Sequence, residues 1–387
     1  MDETYASYSS IYRIPQSTKP AYRSFLFLLI VLSLTALGLV SLYSASYDEA
    51  LRLHLPASYY VSRQALFALA GALIFFSIQF LSMELIYSLI PLAFFGALVL
   101  MLLTLIGPFG VAKFGARRWL TLGPLPSFQP SEVLKVTLIL FLARINASDS
   151  TIGSKTVVSL VAVALSALLV LAQRDYSSTV LVLFGSLVMF LLGHVAFRYI
   201  ALFGVASAAI GLLFMLSESY RIKRLLSFFY PSADPQGINW QVQNGLRAIS
   251  EGRFFGKGLG KGVYKLGIIP EVHSDFIFAS YAEEMGLVGT VVLFALFAAF
   301  GFFGFYTAFA NRKKDHAFAF YLCVGFTFMI VMQALVNIAV VSALLPPTGI
   351  VLPFFSQGGT NLLMVLTQSG LLYKALVSVE KQEVLYG

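Results

Sequence analysis

Residues 270–275 read PEVHSD and place three ionisable side chains just before an apolar run. Glu271 and Asp275 are four residues apart, and His273 lies between them. A carboxylate at the edge of an apolar segment can act as a general base that takes a proton from a reacting hydroxyl. Asp275 could equally cap the N-terminus of a helix, because aspartate is a favoured N-cap residue. The pattern leaves both interpretations open, and for His273 it also fits local hydrogen bonding.

A lysine repeat precedes this cluster. Lys257, Lys261 and Lys265 recur every four residues, with glycines interleaved. In a helix these lysines would share one face, whereas the glycines favour a mobile loop whose backbone N–H groups can approach an anion. Arg117 and Arg118, in another loop, could add to the same positive field. The pattern predicts an anion-binding surface, and a generic solvated face is the alternative.

Other charged residues fall inside or beside apolar segments. Glu132 and Lys135 have the i, i+3 spacing that lets side chains pair on one helix face. Asp175 follows Arg174 between two apolar runs and is placed to cap the second run, while Arg63 stands at the mouth of another. Ionisable groups at membrane depth usually mark function. A structural ion pair, a helix cap and an interfacial anchor remain the respective alternatives.

The composition indicates which kind of fold positions these groups. The chain has 387 residues, of which 58% are hydrophobic and 11% are charged, and its mean hydropathy is +0.84. A soluble domain carries about 25% charged residues, so an aqueous globular protein is excluded. The single cysteine, Cys323, excludes an internal disulfide. We therefore predict an all-α, polytopic membrane protein.

Ten apolar segments are long enough to cross roughly 30 Å of hydrocarbon as helices. Almost nothing separates the second from the third, which predicts a tight helical hairpin. The ten segments are 24–45, 61–81, 84–106, 128–145, 156–173, 176–193, 198–216, 275–308, 317–343 and 359–378.

The distribution of Lys and Arg over the short loops predicts the orientation, because cytoplasmic loops carry the excess. The triplet Arg312–Lys314 is the clearest marker. The prediction gives a cytoplasmic tail at 1–23, one ten-helix domain over 24–378, and a second cytoplasmic tail at 379–387. Residues 217–274 then form a large extracytoplasmic loop between the seventh and eighth helices, since long loops cross largely regardless of charge.

Residues 345–361, LPPTGIVLPFFSQGGTN, contain too many prolines and glycines for a continuous helix. Non-helical backbone at membrane depth must be buried in protein or line a wet cavity. This segment is therefore expected on the outer side, beside the large loop. Gln333 and Asn337, at i and i+4 in the ninth span, predict hydrogen bonds between helices.

Four stretches together resemble the SEDS family, which includes FtsW, RodA and SpoVE. The match follows the order of the family and covers nearly the whole chain. The spacing in GKGLGKGVYKLGIIPE is similar to that of FtsW or SpoVE, although Arg174 stands where the family commonly has proline. The stretches are GARRWLTLGPLPSFQPSEVLKV (115–136), QRDYSST (173–179), the run from 234 to 289, and LPPTGIVLPFFSQGGTN (345–361).

The resemblance implies ten transmembrane helices and a peptidoglycan glycosyltransferase that polymerises lipid II at the outer face of the bacterial cytoplasmic membrane. It implies a class B penicillin-binding protein as partner, with other divisome or elongasome proteins and membrane lipids around it. The family's essential loop aspartate falls on Asp275, and its polar fourth-helix motif falls on Glu132 and Lys135. Nucleic acid is not an expected partner.

This resemblance gives the candidate residues roles. Asp275 would act as general base on the acceptor sugar hydroxyl. A divalent cation, Mg²⁺ or Mn²⁺, could be held by the departing pyrophosphate and one or two carboxylates; the sequence shows no fixed metal cage and implies no organic cofactor. Substrate binding would fall to Glu271, His273, Lys257, Lys261, Lys265, Arg117, Arg118, Glu132, Lys135 and Arg63.

Two other functions remain as alternatives. A lipid II flippase would use Glu132, Lys135, Arg174 and Asp175 as a polar path through the membrane. A non-catalytic scaffold for division proteins would need none of this chemistry. Because the polar residues concentrate in the predicted outer half and its loops, the sequence favours the enzyme.

Overall fold

The computed structural model describes residues 22–106, 110–113, 116–121, 127–193, 195–216, 238–312 and 316–386. Within these ranges the chain forms eleven helices and one two-stranded antiparallel hairpin, β1 (Gly110–Lys113) and β2 (Ala116–Leu120). The helices are α1 (Tyr22–Arg52), α2 (Tyr59–Phe80), α3 (Met83–Leu105), α4 (Pro130–Ala147), α5 (Ile152–Ala172), α6 (Tyr176–Leu192), α7 (Phe197–Leu216), α8 (Ile238–Glu251), α9 (Ile277–Ala310), α10 (Ala317–Val341) and α11 (Gly359–Tyr386).

Ten of these helices correspond to the ten predicted spans, which confirms the polytopic helical fold. Seven are long and apolar enough to cross a membrane, and α6 and the first part of α7 are shorter apolar helices. The tenth, α4, carries Glu132, Lys135 and Arg144, yet most of its residues are buried between other helices. Protein rather than lipid surrounds its charges, which is how an ionisable group is tolerated at membrane depth.

The elements missed by the sequence lie in the connections. The small β hairpin follows α3, and the amphipathic helix α8 lies inside the predicted loop 217–274. Trp240 Nε1 donates to Ile268 O (3.1 Å) and Gln241 Nε2 donates to Pro270 O (3.0 Å), so α8 braces the segment that leads to α9.

The described ends of the chain lie at the same end of the bundle. The Arg23 backbone N donates to Glu380 Oε1 (2.7 Å), and Arg23 Nη1 forms an ion pair with Glu383 Oε2 (2.5 Å). The start of α1 and the end of α11 therefore lie together, while the side of the membrane stays a prediction. The predictions for residues 1–21, 217–237 and 313–315 lie outside the described residues.

The predicted tight hairpin between the second and third spans is wrong. Helix α2 packs on α11 and α1, α3 packs mainly on α4, and the two helices make no substantial contact with each other. Glycines allow α2 to pack closely on α11. A Cβ at Gly71 would lie 2.6 Å from a Leu366 carbon, and a Cβ at Gly359 would overlap the Phe67 ring. The two helices therefore diverge from their short link.

Residues 342–358, here called the strap, join α10 to α11 without forming a helix, as the prolines and glycines predicted. Leu352, Phe354 and Phe355 of the strap are fully buried. Gln333 Nε2 donates to Val351 O (3.0 Å), and Asn337 Nδ2 donates to Ile350 O (2.7 Å). The two α10 amides thus satisfy strap carbonyls that would otherwise be buried without a partner.

Candidate active site

A cavity of about 450 Å³ opens at the end of the bundle opposite the described chain ends. We call it the outer cavity, because this end is the one predicted to lie outside. Its wall comes from the starts of α2, α4, α6 and α11, from β2, from α10, from the strap and from the residues before α9. The structure brings six predicted site residues into this wall: Arg63, Arg118, Glu132, Lys135, Glu271 and Asp275.

Asp275 lies in the turn before α9 and is half-buried. The residue at the N-cap position of α9 is Phe276, without a side-chain capping bond, so Asp275 lies one residue before that position. A Cβ added at Gly349 would lie 3.8 Å from Asp275 Oδ2 and 3.9 Å from Ser177 Oγ. The Asp275 carboxylate therefore borders the cavity between the strap and the start of α6.

Glu132 and Lys135 form the predicted ion pair, with 2.8 Å between Oε1 and Nζ. Both side chains are buried. Asn361 Nδ2 donates to Glu132 Oε2 (2.7 Å), and Lys135 Nζ donates to Gln333 Oε1 (3.4 Å). The pair thus holds α4 against α10 and α11 beneath the cavity.

Asp175 caps α6, as predicted, and also faces the cavity. Its Oδ1 accepts from Ser178 N (3.2 Å), and its Oδ2 accepts from Ser178 Oγ (2.8 Å), Gln129 Nε2 (2.9 Å) and Ser131 Oγ (3.3 Å). Arg118 Nη1 lies 3.8 Å from Oδ1. These donors occupy the lone pairs of the Asp175 carboxylate, so it has little capacity left to accept a proton from a substrate.

Two arginines supply positive charge to the cavity wall. Arg63 Nη1 donates to Tyr59 Oη (2.8 Å), and its guanidinium lies 5.5 Å from the centre of the Tyr59 ring. Arg118 donates to Arg174 O, while its buried Nε has no hydrogen-bond partner among the described residues. A planar guanidinium with N–H groups to spare suits the oxygens of a phosphate.

Known proteins resemble this chain in sequence and in fold. The family model described as cell cycle protein, for FtsW, RodA and SpoVE, matches residues 24–381. A protein named probable peptidoglycan glycosyltransferase FtsW from Alkalilimnicola ehrlichii is 36% identical over 340 residues, covering 87% of this chain and 84% of that protein. The protein of the same name from Trichlorobacter lovleyi is 32% identical over 358 residues, with coverages of 89% and 91%. The chain belongs to this family.

Solved structures of the family share the fold. A structure described as structural coordination of polymerization and crosslinking by a peptidoglycan synthase complex gives a TM-score of 0.72 at 29% identity, covering 92% of this chain and 97% of that one. The rod shape determining protein RodA of Thermus thermophilus gives 0.65 at 28% identity, with coverages of 91% and 96%.

In this family member, a second set of charges lies outside the outer cavity. Glu283 and Glu284 are buried on α9. Lys257 Nζ is 2.7 Å from Glu283 Oε1, and Lys265 Nζ is 2.5 Å from Glu284 Oε1. Ser44 Oγ of α1 also donates to Glu284 Oε1 (2.7 Å). We call these five residues the glutamate clamp, since they tie the loop before Asp275 to α9 and α1.

A backbone break in α9 completes this attachment. Gly286 has φ 64° and ψ −163°, so the helix is interrupted there. Leu287 N then donates to Arg253 O (2.8 Å) and Val288 N donates to Phe254 O (3.1 Å). Glycine can adopt this backbone conformation at little cost, which most other residues cannot.

The lysine repeat is placed differently from the expectation. Its segment forms turns rather than a helix, and Lys257 and Lys265 are engaged in the clamp instead of lining the outer cavity. Lys261 is exposed, and it too is absent from the cavity wall. The glycines serve close packing: a Cβ at Gly256 would lie 2.0 Å from Glu284 O. These contacts correct the expected placement of the lysines beside Asp275.

Two further candidates lie off the cavity wall. Arg117 is exposed on β2. His273 is buried, with its ring 4.7 Å from the Tyr60 ring and its Nε2 3.6 Å from Glu271 Oε2. Burial lowers the pKa of His273, and Glu271 opposes this only in part. A neutral imidazole that packs on Tyr60 supports the loop near Asp275 rather than contacting the cavity.

Sequence reasoning missed several polar residues of the cavity wall, including Gln129, Gln357 and Asn361. All three lie within or beside motifs already noted. An amide side chain close to proline or glycine at the start of a helix could have indicated them as cavity residues. Within the described residues, no group of three His, Cys, Asp or Glu side chains converges as a metal site would require.

Proposed function

We propose that this chain is a peptidoglycan glycosyltransferase that polymerises lipid II, with Asp275 as the general base. The relatives named peptidoglycan glycosyltransferase support the activity. One observation carries the assignment of the base. The cavity wall holds four aspartates and glutamates, of which Glu132 and Asp175 are only 6% and 2% exposed. Glu271 is exposed, whereas Asp275 is half-buried at the cavity edge.

The geometry fits a single displacement. The acceptor sugar hydroxyl gives its proton to the Asp275 carboxylate as its oxygen attacks the anomeric carbon of the donor. The bond from that carbon to the lipid diphosphate breaks, and the configuration at carbon inverts. General base catalysis of this kind contributes about 10²–10⁴-fold.

The leaving diphosphate carries the negative charge that develops in this step. Arg63 and Arg118 line the cavity and would bind its oxygens. Arg118 lies 3.8 Å from Asp175, but its Nε has no hydrogen-bond partner among the described residues. This assignment replaces the lysine repeat as the diphosphate site. Lys135 cannot contribute as much, since Glu132 already neutralises it.

The lipid tail can remain in the bilayer. Helix α2 supplies Tyr60, Arg63 and Phe67 to the cavity wall, and β2, which follows α3, supplies Arg118 and Trp119. Because α2 and α3 do not pack on each other, the space between them is the route that we propose for the lipid tail from the bilayer to the cavity. A polyprenyl chain in this gap would keep its diphosphate beside the two arginines.

A divalent cation fits this site in a limited way. Glu271 and Asp275 are the cavity carboxylates that are not fully buried, so they could complete the shell of Mg²⁺ or Mn²⁺ held chiefly by diphosphate oxygens. Such a cation would neutralise charge on the leaving group.

The likeness to a synthase complex that couples polymerization with crosslinking supports a transpeptidase partner, which we propose is a class B penicillin-binding protein. The FtsW names among the relatives favour a role in cell division. We further propose that the chain spans the cytoplasmic membrane with both termini in the cytoplasm.

Polymerisation of labelled lipid II by the purified protein with its partner tests this function. Asp275→Asn should lower the rate by about 10²–10⁴-fold without loss of lipid II binding. Asp149→Asn is the matched control, because Asp149 is exposed in the connection between α4 and α5. Full polymerisation by Asp275→Asn would refute the assignment. Impaired lipid movement in vesicles with normal polymerisation would support the flippase instead.

A further inference from the structure

Asn337 is a fully buried amide of α10 that contacts the backbone on both sides of the Asp275 carboxylate. Its Nδ2 donates to Asp275 O (2.8 Å) and to Ile350 O (2.7 Å). Ile350 follows Gly349, the residue that faces Asp275 Oδ2. One side chain therefore joins the turn before α9 to the strap.

The chemistry of the two acceptors determines the orientation of this amide. Both partners are carbonyl oxygens, which accept hydrogen bonds and cannot donate them. The two hydrogens of Nδ2 satisfy both, whereas a flipped amide would point Oδ1 at two acceptors. Oδ1 itself is buried and has no hydrogen-bond partner among the described residues. The side chain thus serves these two carbonyls and no other polar group in the described structure.

Gln333, one turn earlier, also holds the strap. Gln333 Nε2 donates to Val351 O (3.0 Å), the neighbouring strap carbonyl, and its Oε1 accepts from Lys135. Asn337 adds the contact to Asp275. Asn337 does not itself line the cavity wall.

We propose that Asn337 is a positioning residue for the general base: by holding the Asp275 carbonyl and the strap at fixed separation, it sets where the carboxylate meets the acceptor hydroxyl. This inference rests on the proposed role of Asp275. It predicts a loss in kcat rather than in substrate affinity, since a misplacement of roughly 1 Å can cost about 10²-fold in rate.

The test compares kcat and KM for lipid II polymerisation by Asn337→Ala, Asn337→Ser and Asn337→Asp, each with the partner protein. Asn337→Ala should lower kcat by about 10- to 100-fold with little change in KM. Asn337→Ser retains one donor and should fall between Asn337→Ala and the wild type. Val340→Ala is the control, because it removes buried volume from α10 without a polar contact and should lower stability while leaving kcat unchanged.

Asn337→Asp gives a readout that a merely structural role would not produce. An ionised carboxylate offers no donor to the two carbonyls, whereas the protonated form offers one O–H. The kcat of Asn337→Asp relative to the wild type should therefore rise as the pH falls, while the ratio for Asn337→Ala stays constant.

The outcomes separate this inference from the proposed function. Wild-type kcat in folded Asn337→Ala, with Asp275→Asn inactive, would overturn the positioning role and leave the general base in place. An active Asp275→Asn would overturn the function itself. Should Asn337→Ala not fold, the Asn337→Ser variant decides: a lowered kcat supports the inference and an unchanged kcat overturns it.

Discussion

The outer cavity and the glutamate clamp use the same residue types to opposite effect. In the clamp, Glu283 and Glu284 are buried and each meets a lysine and further donors, so its charges are matched inside the protein. In the cavity, Asp275 is half-buried beside open volume, and Arg63 of α2 lines the same cavity. A buried carboxylate that is paired with cations and hydrogen-bond donors of the protein serves the structure. A carboxylate at the edge of a cavity can exchange a proton with a ligand.

The comparison also shows how the two regions depend on each other. The clamp ties residues 257–265 to α9 and α1, and the chain then reaches Asp275 through a segment that α8 and Tyr60 support. We therefore expect the clamp to affect how precisely the loop positions the Asp275 carboxylate. Four substitutions or conditions test this division between structure and chemistry.

Breaking the clamp should have the largest effect on stability. Lys265→Met leaves Glu284 buried without its cation, and removing one partner of a buried ion pair costs about 3–5 kcal/mol of unfolding free energy. Denaturing-detergent titration in mixed micelles measures this change. The double variant Lys265→Met/Glu284→Gln should recover much of the lost unfolding free energy. If Lys265→Met alone had the wild-type unfolding free energy, the structural role of the clamp would be contradicted.

Removing a cavity cation should affect activity more than stability. Arg63→Gln should lower kcat/KM by about 10- to 100-fold, since a hydrogen bond to a charged group contributes about 1.5–3 kcal/mol. Lys261→Gln is the matched control, as Lys261 is exposed and lies outside the cavity wall. Lipid II polymerisation measures kcat/KM for both variants. Equal losses in Arg63→Gln and Lys261→Gln would show that the outer cavity is not the specific binding site of the diphosphate.

Gly349 offers a smaller test with a precise control. Its φ is 76°, and the φ of Gly260 is 80° in open surroundings. Alanine at either position should cost about 1–2 kcal/mol, the penalty for a left-handed backbone in a residue with a Cβ. Only Gly349→Ala should also lower kcat, because its methyl would contact Asp275 Oδ2. A similar kcat in both variants would show that the contact between residue 349 and Asp275 does not affect catalysis.

The contribution of His273 to the pH dependence of stability should be the smallest of the four effects. The folded-state pKa of His273 lies below its unfolded value of about 6.5, so the unfolded chain binds the proton more readily. The stabilising contribution of the neutral ring is present above about pH 6.5 and is lost as the pH falls through the folded pKa. Unfolding temperatures at pH 7.5 and 5.5 should therefore differ less in His273→Gln than in the wild type.

The control for this measurement is His54→Gln, since His54 is exposed. That variant should retain the wild-type difference between the two pH values. An identical difference in His273→Gln and the wild type would show that burial of the His273 ring does not contribute.

Local patterns predicted what depends on local contacts. Helix-length apolar runs gave the ten spans, and the i, i+3 spacing gave the Glu132–Lys135 pair. The cap formed by Asp175 and the non-helical strap were equally accessible, because each depends on residues within a few positions. The family motifs pointed to Asp275 before its surroundings were known.

Long-range contacts decided the rest. Lys265 meets Ser44, 221 positions away in the chain, and nothing in the lysine repeat could distinguish that partner from a ligand. The divergence of α2 and α3 likewise depends on glycines of α11 that accept α2 at close range.

The sequence by itself thus determined that the chain crosses a membrane as helices and carries a candidate catalytic carboxylate, Asp275, at the start of the eighth span. Hydrophobicity and turn residues act over a few positions, so a linear pattern is sufficient to state them. Only the tertiary structure decided which cations line the cavity beside that carboxylate and which are paired in the clamp. The strength of a charge pair depends on distance and burial, and the fold alone sets both.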